Sequence, residues 1–394
     1  MGVPDPEKWF ILGRVVVVRH YKKALDSSSL DLRLPLTRTP PRISRLAAVT
    51  RVQVERGQLS IVATSNSVLL LHELERPSEP NSPNIFFLAL DPMLDERAFA
   101  AGRRVFEVAA TRLLDRHPEL PHFSGVRNVG FIELCRGGTC VFVVAELQAT
   151  NRQANNSVPF ITCCLSGDGN DTWDQMELVW PVLDDEAHPQ WINHAVIAHD
   201  KKLWWVNLSR GLVAWDPVPV QHAEPRLEFV PLPVLHGFED RQEPPEQIDR
   251  YRTVGVSAGQ MRFVDIVRRR NDPLEDTLVV VWTLDLPQMR WRGYPRVTTL
   301  ANIWNNASYV PMPRGVVPVV ALLHPNEPEV VYFFQGKYVF SVDVNRSAVV
   351  HFAVMPNQQD GVPRPINQRD VLSWKQAPFL ENGTVLYMTS LICA

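Results

Sequence analysis

The stretch Lys202-Leu-Trp-Trp-Val-Asn-Leu-Ser-Arg-Gly-Leu-Val-Ala-Trp-Asp216 decides how the chain is read. Two apolar runs rich in Trp and Val, Leu203–Asn207 and Leu212–Trp215, flank a polar turn over Leu208–Gly211. That pattern predicts a β-hairpin. Its second half, an apolar run ending in an acid, recurs at Phe86–Asp91, Phe142–Glu146, Val281–Asp285 and Phe340–Asp343. The acids are separated by 55, 70, 69 and 58 residues, a loose repeat of about sixty. The physical sense of the ending is that an Asp at a strand terminus accepts backbone N–H groups of the following turn.

Working outward, the same signals repeat along the whole chain. Strands are predicted at Trp9–Val18, Arg51–Glu55, Leu59–Ala63, Val68–His72, Ile85–Leu90, Asn128–Leu134, Cys140–Leu147, Phe160–Leu165 and Met176–Trp180. They continue at Trp191–Ala198, Leu227–Leu232, Tyr251–Ser257, Gln260–Val267, Thr277–Leu284, Val316–Leu323, Glu329–Phe334, Tyr338–Val344, Ala348–Met355, Val371–Trp374 and Val385–Leu391. Arg19–Pro41 and Pro233–Gln247 read as long loops. Asp95–Arg116 is the one helical candidate, from the spacing of Phe99, Phe106, Ala109, Ala110, Leu113 and Leu114. Many short strands with frequent turns predict an all-β fold, a β-propeller-like ring of about six blades. The expected organisation is a single domain over 1–394, in which Trp9–Val18 completes a blade begun at the C-terminus.

Composition fits a globular protein, with 45% hydrophobic and 21% charged residues. The 33 prolines against 19 glycines favour short strands and rigid loops over long helices. With a net charge of −3, and the basic cluster Arg268–Arg270 followed at once by Asp272, Glu275 and Asp276, no nucleic-acid partner is expected. The N-terminal residues lack a signal-peptide pattern and no apolar run is long enough to span a bilayer. A monomer in the cytoplasm or nucleus is the expectation, without a membrane association. The five cysteines include the adjacent pair Cys163-Cys164, and Cys135 and Cys140 face each other across a predicted hairpin. Reduced thiols are expected.

Chemistry-bearing patterns are sparse. His188, His194 and His199 stand near Asp184, Asp185, Glu186 and Asp200, but at neither the helical nor the same-face strand spacing of a ligand pair. They read as polar loop histidines. Ser166-Gly167 and Gly125 form no nucleophile elbow, and Gly137-Gly138 lacks the Lys and helix of a phosphate loop. Cys163-Cys164 lies in an apolar strand, so packing is its expected role. The sequence assigns no residue to catalysis, to a cofactor or to a metal. The Trp residues at 204, 205, 215, 282, 291 and 304 read as packing between blades. Strand alternation predicts that Trp204 and Trp205 point to opposite faces, one into the core and one nearer an edge or the surface.

The segment Leu203–Asp216 resembles the signature of a plant family, expanded in grasses, known as domain of unknown function 1618. Asn207 stands where that signature has Asp. Phe229-Val230-Pro231-Leu232-Pro233, Gly259–Ile266 and Val281-Trp282-Thr283-Leu284 with Trp291 resemble its later elements, so the signature region spans 202–304. The layout is also similar to the propeller domains attached to F-box proteins, although no F-box helix precedes the first strand. The resemblance implies no established activity. The expected function is a non-enzymatic interaction or scaffold protein for protein partners. The alternatives are a hydrolase with carboxylates or histidines at one mouth of a central channel, and a ubiquitin-ligase substrate receptor without its own F-box. Trp205, Gly211 and Asp216 are expected to be fold-determining.

Overall fold

The opening hairpin forms as read. In a computed structural model, Lys202–Asn207 and Gly211–Trp215 pair antiparallel, with Leu203 opposite Trp215 and Asn207 opposite Gly211. Asn207 closes the turn: its carbonyl accepts from Arg210 N–H at 3.0 Å and its Oδ1 from Ser209 N–H at 2.9 Å. An Asp would accept in the same way, so the Asn is no handicap here. The structure describes residues 9–20, 29–35, 40–50, 59–65, 68–74, 84–90, 105–113, 119–120, 123–136, 139–148, 159–166, 172–179, 191–218, 226–238, 247–359 and 362–375. The strands predicted at Arg51–Glu55 and Val385–Leu391 lie outside these residues.

Strands are numbered in chain order. The first sheet has eight strands, β1 (Trp9–His20), β2 (Ser29–Pro35), β3 (Ile43–Thr50), β4 (Leu59–Thr64), β5 (Val68–Leu74), β6 (Asn84–Leu90), β7 (Val105–Arg112) and the late β27 (Val371–Lys375). The second is a meander of β8 (Val129–Arg136), β9 (Thr139–Gln148), β10 (Phe160–Ser166) and β11 (Thr172–Glu177). The third contains β12 (Ala195–His199), the hairpin strands β13 and β14 (Lys202–Asn207 and Gly211–Trp215), and β15 (Glu228–Pro231). The fourth contains β16 (Arg252–Ser257), β17 (Gln260–Val267) and β18 (Leu278–Asp285), with β19 (Arg290–Trp291) and β20 (Arg296–Thr299) both on β18. The fifth contains β21 (Val319–Leu323), β22 (Val330–Gln335), β23 (Tyr338–Asp343) and β24 (Ala348–Val354). A two-residue pair, β25 (Gln358–Gln359) with β26 (Val362–Pro363), follows.

The first strands of successive sheets pack beside one another, β4 on β8, β8 on β12, β12 on β16, β16 on β21 and β21 on β27. The sheets therefore stand as five blades of a propeller, inner strands around the axis and last strands outside. The ring is closed by β27 pairing antiparallel with β1, Trp9 opposite Lys375 and Gly13 opposite Val371. Five rather than about six sheets arise because β27-β1-β3-β2 and β7-β6-β5-β4 are joined through the β2–β7 ladder into one double-width sheet. Residues 105–112, expected to be helical, are β7 instead. Flanked by β2 and β6, they form hydrogen bonds to both, and this outweighs a weak helical stripe. Likewise the loop predicted over Arg19–Pro41 contains β2.

Apolar layers fill the spaces between neighbouring sheets, and adjacent residues of one strand enter different layers. Trp204 packs with Val206, Met261 and Phe263 between the third and fourth sheets. Trp205 packs with Ile132, Val143 and Trp215 between the second and third. Phe333 faces the fourth sheet, while Tyr332 and Phe334 face Ile11 and Ile43 of the first. Alternation thus sends successive side chains to opposite faces, as expected. The surface position foreseen for one of Trp204 and Trp205 does not occur: their exposures are 1% and 0%. Both faces of this blade are covered by a neighbouring sheet, so neither is left to solvent.

Gly211 is required by close approach. A Cβ there would stand 2.4 Å from the Val230 carbonyl oxygen and 2.5 Å from the Phe229 ring. Gly211→Ala is expected to cost about 1–3 kcal/mol through overpacking. The check is a urea titration, in which an unshifted midpoint would remove Gly211 from the fold-determining set.

Two further sequence expectations change. The strand-end acids do not act uniformly: Asp216 accepts from Val218 N–H at 2.8 Å and Asp343 from Asn345 N–H at 2.9 Å. Glu146 instead lies inside β9 and is fully buried, accepting from Ser124 N–H at 2.7 Å. Cys163 and Cys164 are free and buried, as read. Cys135, however, is disulfide-bonded, correcting the expectation of reduced thiols, and Cys140 stands opposite it in the β8–β9 register. Among the described residues no helix is long and apolar enough to cross a membrane.

Candidate functional site

Because the inner strands run in the same direction, the segments that lead into them gather at one end of the ring. These are residues 123–128 before β8, 191–194 before β12, helix α1 (Ile248–Tyr251) before β16, and the single turn Gln368–Asp370 before β27. Their side chains make a polar mouth. Arg369 forms an ion pair with Asp249, which is 4% exposed. Gln368 donates its amide to the carbonyls of Asp249 and Arg252, each at 2.6 Å. Asn193 donates to Asn128 Oδ1 at 2.8 Å, and the Asn128 carbonyl accepts from the Trp205 indole at 2.7 Å.

The acids of this mouth are engaged. Asp249 holds Arg369, and Asp370 accepts from Ile366 and Asn367 N–H. One level away, Asp265 holds Arg252 at 3.0 Å, and Arg252 also donates to the Leu208 carbonyl. Arg14 is held by the carbonyls of Ile61 and Val62. Burial lowers its pKa to about 10, with Asp370 acting the other way. Arg127 is lowered first by burial and then by Arg369, while Asp249 opposes. The arrangement locks the entry segments together and neutralises charge, which is a structural task.

Of the candidate histidines, His194 is in this mouth and His199 on β12, while His188 with Asp184–Glu186 lies outside the described residues. No group of three or more His, Cys, Asp or Glu is placed to hold a metal among the described residues. His194 Nδ1 accepts from Leu208 N–H at 3.3 Å, and its pKa is lowered to about 4, by burial first and Arg369 next. His324 also falls to about 4, again chiefly through burial, its Nδ1 accepting from Asn326 and Glu327 N–H. Both imidazoles are neutral when folded but take up a proton near pH ~6.5 when unfolded. Their folded pKa is the lower one, so the unfolded state binds more protons between about pH 6.5 and 4. Stability is therefore expected to fall as pH drops through that window. Urea midpoints at stepped pH check this, and His324→Asn, which keeps the acceptor, should flatten the dependence.

A second feature lies on the outside of the ring. The last strand of the fifth sheet, β24, exposes Val350, Phe352 and Val354 by 43%, 48% and 57%. Phe352 and Val354 alternate and share one face, while Val350 is the extra residue of a β-bulge, between Val349 opposite Val342 and His351 opposite Ser341. The last strand of the second sheet, β11, is protected in the ordinary way, exposing Thr172, Asp174, Gln175 and Glu177. Beside the end of β24 is a cleft of about 850 Å³, walled by Phe352–Pro356, by Pro40–Ile43 and by Arg364-Pro365. Its charged lining residues are Arg42, Arg45 and Arg364, with no acid among the described residues that line it. Arg45, 5% exposed, donates to the Pro363 carbonyl at 2.8 Å, and Arg364 donates to Asn357 Oδ1 at 3.1 Å. Sequence reasoning found the strand but not this site, because Ala-Val-Val-His-Phe-Ala-Val reads as a buried run.

The hairpin and the sheet that follows it carry a family likeness. The model of a family described as "Protein of unknown function (DUF1618)" matches residues 205–332. This stretch is similar to that family. It runs from Trp205 in β13 to Tyr332 in β22, so the DUF1618 match takes in most of the hairpin, the fourth sheet and the start of the fifth. Both β24 and the arginine cleft lie outside it. No curated protein matches the chain. Among solved structures, the chain is similar to an endo-arabinase from Bacteroides thetaiotaomicron at 13% identity and a TM-score of 0.24, covering 54% of this chain and 69% of that one. It is also similar to apo AztD from Citrobacter koseri at 10% identity and a TM-score of 0.26, covering 89% and 99%.

Proposed function

We propose that this protein is a non-enzymatic interaction module that presents β24 to a protein partner. The observation that carries the reading is the exposure of Phe352 and Val354 on one face, and of Val350 at the neighbouring bulge, on an outermost strand. Val349 N–H is taken up by Ser308 Oγ at 2.8 Å, and beyond it no strand among the described residues pairs with the outer edge of β24. An edge of that kind favours pairing with another chain, and soluble proteins ordinarily blunt it with charge. The polar mouth supports the same reading, since its acids and arginines are used to fasten entry segments to one another.

The test places a photo-crosslinking side chain at position 352 or at position 177 of the full chain in cells. A discrete adduct with another protein from 352, and none from 177, is the expected result. Equal adducts from both positions, or none from 352, would overturn the proposal.

A further inference from the structure

We propose that β24 takes up an extended, acid-bearing segment of its partner as an added strand, with a carboxylate of that segment seated in the arginine cleft. This rests on the interaction-module reading and names the chemistry of the partner. The backbone is the first support. Met355 N–H donates to the Lys337 carbonyl at 2.7 Å, just beyond the last β23–β24 ladder pair, Tyr338 with Val354. Hydrogen-bonded pairs alternate along an antiparallel ladder, so the peptide groups of Phe352 and Val354 point away from β23. Among the described residues β24 ends its sheet, which leaves those groups directed at an incoming strand.

Side chains supply the second support. Phe352 and Val354 form one exposed apolar face, with Val350 exposed beside it at the bulge. A strand lying alongside would place every second residue against that face, which gives main-chain bonding together with an apolar grip. Charge supplies the third. The cleft at the end of the strand is lined by Arg42, Arg45 and Arg364 and, among the described residues, by no acid. Arg45 is fixed by its bond to the Pro363 carbonyl, so it is presented without much loss of freedom on binding. Arginines gathered in a partly dry cleft favour a carboxylate over a lysine on the visiting segment.

The experiment uses the full chain and a fluorescein-labelled peptide, Thr-Val-Thr-Val-Thr-Glu-Glu, followed by anisotropy. Its counterparts are the same peptide ending in Lys-Lys and one with alternate backbone nitrogens methylated. The acidic peptide is expected to bind at least about tenfold more tightly than the lysine peptide. N-methylation should abolish binding without any change to the protein. Arg364→Glu should weaken the acidic preference, because only Arg42 and Arg45 then oppose the new carboxylate, with an unchanged melting transition. Equal binding of the acidic and lysine peptides, full binding by the methylated one, or no binding by either at millimolar concentration would overturn the inference. A stable dimer in light scattering, with residue 352 crosslinked to a second copy, would overturn it in favour of self-pairing. If the peptides fail while the crosslink from 352 to another protein persists, only this inference falls; if both fail, the interaction reading falls with it.

Discussion

Trp205→Ala is expected to destabilise the protein by about 4–5 kcal/mol, the upper part of the range for removing a buried Trp. The side chain is completely buried between the second and third sheets, against a layer that includes Ile132, Val143 and Trp215. Alanine would leave a large apolar void in a layer bounded by two sheets, neither of which can close in without disturbing its other face. The loss also takes away the indole N–H that the Asn128 carbonyl accepts at 2.7 Å, at the entry to β8. A typical domain has only about 5–15 kcal/mol in total, so much of the margin disappears. Urea denaturation followed by tryptophan fluorescence and far-ultraviolet circular dichroism is the check. Trp291, half-buried and bonded to the Pro231 carbonyl at 2.8 Å, is the control, and Trp291→Ala should cost much less. A Trp205→Ala midpoint close to that of the control would show that the layer between these sheets does not set stability.

Asp249→Ala is the second large effect, with an expected cost of about 3 kcal/mol. Asp249 is 4% exposed and paired with Arg369, whose side chain keeps 31% exposure. That residual solvent contact places the expected cost at the low end for breaking a buried pair. The removal leaves Arg369 without its carboxylate and without a counter-charge to the neighbouring Arg127, whose pKa Arg369 lowers and Asp249 raises. The damage falls on ring closure, since Asp249 belongs to α1 before β16 and Arg369 to the turn that leads into β27. Removing the second cation should restore part of the loss. The double variant Asp249→Ala with Arg127→Ala is therefore expected to be more stable than Asp249→Ala alone, by roughly 1 kcal/mol. A strictly additive cycle would mean that Arg127 does not share this electrostatic cluster.

The two variants separate the roles of the interior. Trp205 tests the apolar layers that hold sheet to sheet, and Asp249 the polar mouth that fastens the first strands to the closing one. Neither touches β24. A stable protein with a blocked β24 edge would thus report on partner binding without the confounding loss of fold.

Legibility follows the range of the forces involved. The hairpin at Lys202–Asp216 is readable because its turn residues, alternation and apolar runs are all local. The C-terminal strand completing the N-terminal sheet is also readable, since Trp9–Val18 needs a partner and Val371–Trp374 offers one. The helix expected around residues 105–112 fails because Val105–Arg112 has ladder partners on both sides, and those on β2 are far away in the chain. For the same reason the expected number of sheets is too high: whether β2 meets β7 edge to edge is decided by how two distant runs come together. The arginine cleft is illegible for a related reason, since Arg42 and Arg45 meet Arg364 only once the ring has closed.

The sequence by itself determined that this chain is all-β, built from short strands and tight turns, with Trp and Val as its packing residues. Period-two alternation, glycine and proline punctuation and Asp-capped turns act within a few residues and survive in the sequence. Tertiary structure alone decided which apolar strands are inside. β13 and β24 carry similarly apolar sequences, yet β13 is enclosed by a sheet on either side and β24 stands last in its sheet with three apolar side chains in water. Burial is set by the neighbours a strand acquires in space, and those neighbours come from remote parts of the chain.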